Sequence, residues 1–157
     1  MKTIRFLLNG EETSVTTEET SPLYPHVLPH GAEEGVCNDR RCLRCLVLVG
    51  DRVVPSCMVP LFRVEGASIK TQADLVATEL GRAIERAFTR VGIDECPSAH
   101  DGLFVLAYHL ISNTPNLSDA AIRRAGRDVN TPCVSREEFE RALRLAARVH
   151  QRTQRGR

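Results

Sequence analysis

Of the side chains in this 157-residue chain, the six cysteines have the most chemistry to offer, and four of them are grouped. Cys37, Cys42, Cys45 and Cys57 are spaced C-x4-C-x2-C-x11-C. Three thiolates within nine residues wrap one side of a small inorganic cluster from a single loop. A fourth, arriving from a neighbouring strand, closes the far side. The x4/x2 opening is the plant-type spacing for a 2Fe–2S centre, in which each iron takes two thiolates. Zinc also accepts four cysteines, but its usual structural spacing pairs two C-x2–4-C knuckles at a distance. Here three ligands share one loop and the fourth stands alone. The spacing therefore favours iron–sulfur over zinc, with a chance grouping of structural thiols third.

Short strands have to hold such a loop. Ile4, Phe6 and Leu8 alternate with polar or outward positions and run into Asn9-Gly10, which predicts a strand ending in a hairpin turn, with Glu12 to Thr17 as its partner. Pro22, Pro25 and Pro29 limit Ser21 to His30 to a short or broken helix. After the cysteine loop, Leu46 to Val49 reads as an apolar strand, Gly50-Asp51 as a two-residue turn, and Arg52 to Ser56 as the return toward Cys57. A last short strand is expected at Ala67 to Thr71.

From about residue 75 the apolar period changes from two to nearly four. Ile84, Phe88 and Val91 line a helix over Glu79 to Val91 that Gly92 ends. Leu103, Leu106, Ala107, Leu110 and Ile111 mark a second helix. Ser118 caps a third, Asp119 to Ala125, with a stop at Gly126. Ser135 and Glu138 form a capping box for a fourth, whose buried face is Phe139, Ala142, Leu143, Ala146 and Val149. The chain divides into a sheet half and a four-helix half.

Composition narrows the function classes. At 42% hydrophobic and 26% charged, the chain has the balance of a soluble globular protein. Its 21 basic and 20 acidic residues leave a net charge of +1, which argues for neither a nucleic-acid nor a membrane surface. Arg148, Arg152, Arg155 and Arg157 read as a frayed, solvated tail. Met1-Lys2 leads straight into a strand pattern with no apolar leader, and Leu103 to Ile111 is too short to span a bilayer. A cytoplasmic, reducing setting follows, where clustered thiols mean metal or redox chemistry. His26, His30, His100, His109 and His150 are not marked as partners of any cysteine, and no Gly-rich phosphate loop or dinucleotide fingerprint is present. Independent catalysis is therefore not expected.

With those residues in hand, the chain resembles the small iron–sulfur subunit of the molybdenum hydroxylases, the xanthine dehydrogenase and carbon monoxide dehydrogenase family. The features that carry the likeness are the opening strand with Asn9-Gly10, the four-cysteine array, Ser56-Cys57, Val64-Glu65-Gly66 with Ile69 and Thr71, and the helical tail. The resemblance implies an α+β fold: an N-terminal β-grasp, plant-type ferredoxin-like domain over residues 1–75, then a C-terminal four-helix domain over 76–157. It implies one 2Fe–2S cluster on Cys37, Cys42, Cys45 and Cys57. It also implies two partners: a larger catalytic subunit with a molybdenum cofactor, and a flavin subunit with FAD.

The chain departs from the family where a second cluster would sit. The family's helical domain supplies C-x2-C and C-x-C there, whereas this chain reads Cys96-Pro97-Ser98-Ala99 and Thr131-Pro132-Cys133. Alanine cannot ligate iron, and two thiolates cannot hold a centre that takes four, so Cys96 and Cys133 are expected to hold no cluster. They read instead as leftover buried thiols, which could form a disulfide only if their backbones come within reach. His100 reads as a polar residue near a helix start rather than as a substitute ligand. The first site departs too: Asn38, Asp39, Arg40, Arg41 and Leu43 stand among residues where the family uses glycines. Arg40 and Arg41 are expected to form a patch for docking a partner. The expectation is an electron-transfer subunit with no substrate chemistry of its own; the alternatives are a zinc-stabilised interaction module and a degenerate structural or regulatory subunit.

Overall fold

The computed structural model describes residues 1–28, 43–129 and 131–157. Strands β1 (Lys2–Leu8) and β2 (Glu11–Thr17) pair antiparallel from Lys2 opposite Thr17 to Leu8 opposite Glu11. Between them Asn9 (φ 52°) and Gly10 (φ 85°) both take the left-handed conformation that a two-residue type I′ turn demands. The Asn9 side chain also accepts the Thr71 N–H at 2.9 Å and donates to Thr71 Oγ1 at 3.0 Å, tying that turn to the far end of the sheet domain.

A four-residue helix, α1 (Tyr24–Val27), holds Pro25 in its first turn. Strands β3 (Leu46–Val49) and β4 (Arg52–Pro55) fold back on each other about Gly50 (φ 57°) and Asp51. Strand β5 (Ser68–Lys70) lies between the two hairpins, parallel to β1 and antiparallel to β3, so the sheet order is β2-β1-β5-β3-β4. The helices α2 (Gln72–Leu75), α3 (Glu79–Val91), α4 (Pro97–Asn113), α5 (Asp119–Arg127) and α6 (Arg136–Arg155) follow. The protein is thus a mixed α+β structure, with a five-stranded sheet and six helices among the described residues.

The Leu-Val-Leu-Val run of β3 is apolar throughout because both faces of that strand are covered. Val47 joins Ile4, Phe6, Ile69, Leu23, Leu61 and Val64 in a core on one side of the sheet. Leu46 and Leu48 point the other way, into a larger core with Leu80, Ile84, Phe88, Leu103, Phe104, Phe139 and Leu143 of the helices. The expected boundary near residue 75 is therefore crossed by a continuous apolar cluster that includes Leu75 itself.

Helix α3 spans the predicted residues, with Thr78 Oγ1 accepting the Gly81 N–H and Gly92 (φ 94°) closing its end. The Ser135–Glu138 capping box of α6 is complete in both directions. Three expectations are corrected. Helix α5 runs through Gly126 to Arg127 rather than stopping, because Gly126 lies against the Glu140 and Arg136 side chains, where a Cβ would come within 2.6 Å of Glu140 Oε1. Val149 is 39% exposed, and Ala147 takes its place in the core. The arginines at the end are not a frayed tail: α6 is helical to Arg155, and Arg157 pairs with Glu79. Among the described residues no helix is long and apolar enough to cross a membrane.

Candidate metal centre

Two of the four clustered cysteines lie in the described structure, and the β3–β4 hairpin brings them to one end. Cys45 immediately precedes β3, and Cys57 sits in a short 3-10 turn (Ser56–Met58) directly after β4. Leu46 is opposite Pro55, so the next pair outward is Cys45 with Ser56. Ser56 fastens that pair: its N–H donates to the Cys45 carbonyl at 3.0 Å and its Oγ at 2.8 Å. A fully buried hydroxyl needs such an acceptor, and here the acceptor is the backbone of a candidate ligand. Cys45 is 2% exposed and outside any disulfide, and Cys57 is half-buried. Cys37, Cys42, Asn38, Asp39, Arg40 and Arg41 lie outside the described residues. Within the described residues no three His, Cys, Asp or Glu side chains gather as a metal site.

Leu43 stands at φ 56°, the left-handed region that glycine enters freely and leucine rarely does. A glycine-like backbone is thus kept at a position where the side chain is not glycine. Its side chain packs on the helical core, and that burial offsets the conformational cost. Leu46 also enters the helical core, while Leu61 is buried in the other one, so the two fall on opposite faces of the sheet.

The residue that sequence reasoning missed is Gly102, in α4. A Cβ there would stand 1.7 Å from the Leu43 carbonyl oxygen and 2.8 Å from its carbon. Only glycine lets α4 pass this close to the backbone two residues before Cys45. A lone glycine inside a strongly apolar helical run is the signal that could have found it.

The helical half carries the other cysteines. Cys96, at the N-cap of α4, is 2% exposed and forms a disulfide with Cys133, with a Cα–Cα distance of 5.8 Å. Cys133 is exposed, which corrects its reading as a buried thiol. Ala99 is buried in the core. Thr131 Oγ1 accepts the Val134 N–H at 3.1 Å and donates to the Val134 carbonyl at 3.2 Å, which locks the turn before α6. His100 places Nδ1 2.9 Å from Asp101 Oδ1 and Nε2 3.2 Å from Glu85 Oε2, the second approach being electrostatic rather than aligned as a hydrogen bond. The Asp101 hydrogen bond and the nearby Glu85 charge raise its pKa above the usual histidine value, against burial that pushes it down. Nδ1 is therefore committed to Asp101 while Nε2 faces Glu85, and the ring meets Phe88 in a T-shaped contact.

No protein-family model matches the chain. Over 154 residues it is 25% identical to one of the subunits of nicotinate dehydrogenase from Pseudomonas putida KT2440, covering 96% of this chain and 98% of that one. The chain resembles the small iron–sulfur subunit of the molybdenum hydroxylases. Solved structures share this fold. Quinoline 2-oxidoreductase from Pseudomonas putida 86 superposes with a TM-score of 0.80 at 22% identity, covering 96% of each chain. Aldehyde oxidoreductase from Desulfovibrio desulfuricans gives 0.83 at 21% identity over 96% of this chain. The Desulfovibrio gigas enzyme gives 0.81 at 21% over 98%. This chain spans only 17% and 18% of those two longer proteins, so the same fold also occurs as one segment of a large chain.

Proposed function

We propose that the protein is an electron-transfer subunit holding one 2Fe–2S cluster on Cys37, Cys42, Cys45 and Cys57, and performing no substrate chemistry itself. The observation that carries the proposal is the meeting of Cys45 and Cys57 at one end of the β3–β4 hairpin, fastened through Ser56. A C-x4-C-x2-C-x11-C array needs its fourth thiolate near its third, and the pairing of Cys45 with Ser56, next to Cys57, supports that arrangement. The bound cluster would supply one-electron chemistry. The protein's own part is to present the thiols, exclude water with the packing around Cys45, and hold Leu43 against α4 through Gly102.

On this reading residues 1–75 act as a β-grasp, ferredoxin-like domain and 76–157 as a helical domain that carries no cluster. Ala99 in the core, Thr131 bound to Val134 and the bonding of Cys96 to Cys133 support the loss of a second site. The relative is one component of a dehydrogenase, which supports a heteromeric complex. Its other members would be a larger molybdenum-cofactor subunit and an FAD subunit. A cluster in the sheet domain alone favours electron exchange with the flavin subunit. The second reading is a degenerate structural or regulatory subunit, favoured by the same eroded second site.

Iron, zinc and acid-labile sulfide analysis on protein purified without air separates these readings, with EPR before and after dithionite. About two irons and two sulfides per chain with one S = 1/2 signal is the expected result. Cys45→Ser and Cys57→Ser should abolish that signal, and Cys96→Ser should leave iron unchanged. About four irons with two signals would overturn the single-cluster reading, and a colourless, metal-free chain would leave only the structural one.

A further inference from the structure

We propose that Cys96 and Cys133 form a thiol–disulfide exchange site, which takes a dithiol reductant at Cys133 and releases Cys96 as the leaving thiolate. It goes beyond electron transfer by the cluster and stands on the helical half alone. Three observations carry it. The two backbones stand 5.8 Å apart at Cα, within the range of about 4.4–6.8 Å that a disulfide spans without backbone movement. The pair is asymmetric in access: Cys133 lies exposed in the α5–α6 connection, while Cys96 is buried. And Cys96 stands at the N-cap of the 17-residue helix α4, whose positive end favours a thiolate.

The asymmetry sets the direction of the reaction. An incoming thiolate from a dithiol attacks the sulfur of the exposed residue Cys133 and forms a mixed disulfide. The Cys133–Cys96 bond breaks, and its electron pair leaves on Cys96 at the helix N-terminus, where the thiolate is favoured. The second thiol of the reductant, losing its proton, then attacks its own sulfur in the mixed disulfide and frees Cys133. Two electrons and two protons pass from the dithiol, which ends as a disulfide, to the Cys96–Cys133 pair, which ends as two thiols. Exchange runs faster when the leaving thiol has the lower pKa, which is the arrangement α4 provides. Reduction unfastens the connection between α5 and α6 from the start of α4. The Thr131–Val134 hydrogen bonds do not depend on the sulfurs and keep the turn itself formed.

The test is a redox titration of the full chain in dithiothreitol buffers from fully oxidised to fully reduced. Thiols are trapped with iodoacetamide and the cysteines mapped one by one as peptides. Cys96 and Cys133 should pass from protected to alkylated together, in one reversible transition with the slope of a two-electron couple. In native Cys96→Ser protein, Cys133 should react with an aromatic disulfide probe about tenfold or more faster than Cys96 does in Cys133→Ser protein. Alkylation of both residues in the fully oxidised buffer would overturn the proposal. So would a bond that survives dithiol excess in the folded protein, or equal reactivity of the two sulfurs. The wild-type titration stands even where a variant fails to fold. Failure of the cluster reading shows as missing iron and leaves this transition untouched, whereas four irons per chain with Cys96 and Cys133 bound to metal would defeat both.

Discussion

Gly102→Ala adds one methyl group to a helix and, if Cys45 ligates iron as proposed, should lower the iron content of the protein. Inside a helix, glycine is worse than alanine by about 1 kcal/mol, so on propensity alone the substitution would stabilise α4. The structure reverses the sign. The new Cβ would lie 1.7 Å from the Leu43 carbonyl oxygen, whereas 3.4 Å is ordinary contact, so the helix and the loop must part by about 1.7 Å. Overpacking of this kind costs about 1–3 kcal/mol, and a clash this deep with rigid backbone belongs at or above the top of that range. The net loss is about 2 kcal/mol after the propensity gain, or about 4–8 °C in melting temperature for a chain of this size. The displacement falls on Leu43 and Arg44, directly before Cys45, so iron and sulfide content should drop with it. Gly81→Ala is the control, since its Cβ would meet the Leu75 carbonyl at 1.9 Å, a similar clash away from the cysteine loop. Both variants should lose stability, and Gly102→Ala alone should lose iron. A Gly102→Ala protein with full iron content and an unchanged melting temperature would refute the role given to this contact, and equal iron loss in both would reduce it to general destabilisation.

Two further outcomes can be measured on the same protein. Because the folded-state pKa of His100 is raised, its pairing with Asp101 and Glu85 stabilises the fold fully below the unfolded value of about 6.5 and fades as pH rises through the folded value. The stability gap between wild type and His100→Gln in urea should therefore be wider at about pH 5.5 than at about pH 8.5, and an equal or reversed gap would contradict the assignment. The Cys96–Cys133 bond closes a loop of sequence separation 37, for which chain entropy assigns about 4 kcal/mol. Cys133→Ser should then melt about 8–16 °C below the oxidised wild type and at about the temperature of the reduced one; no difference between oxidised and reduced wild type would count against the bond's contribution.

Local signals in the chain were legible where backbone chemistry is local. Asn9-Gly10 and Gly50-Asp51 specify their hairpins because the conformations needed are ones that few residues tolerate. Gly92 and the Ser135–Glu138 box specify helix ends by satisfying groups within one turn. The errors fell where a distant element decides. Gly126 is a helix breaker by propensity and a packing residue in fact, because α6 comes too close for a side chain there. At the candidate site, the structure describes Cys45 and Cys57 of the cysteine array, and the Ser56 clamp and the Gly102 contact beside them were not legible from spacing. Both depend on residues far apart in sequence meeting across the β3–β4 hairpin and the α4 face. The pairing of Cys96 with Cys133 was foreseen only as a condition on distance, which no single sequence can supply.

The place of β5 has a consequence for biosynthesis. The two hairpins, β1–β2 and β3–β4, do not touch each other in the sheet; each is joined to the other only through three residues, Ser68–Lys70. A nascent chain can therefore make both hairpins early, since each is local, and still have no continuous sheet until residue 70 has been translated. The cysteine loop lies between the hairpins, so its two anchor points gain their final separation only at that moment. The sheet is therefore completed last by the strand that follows both hairpins in the chain.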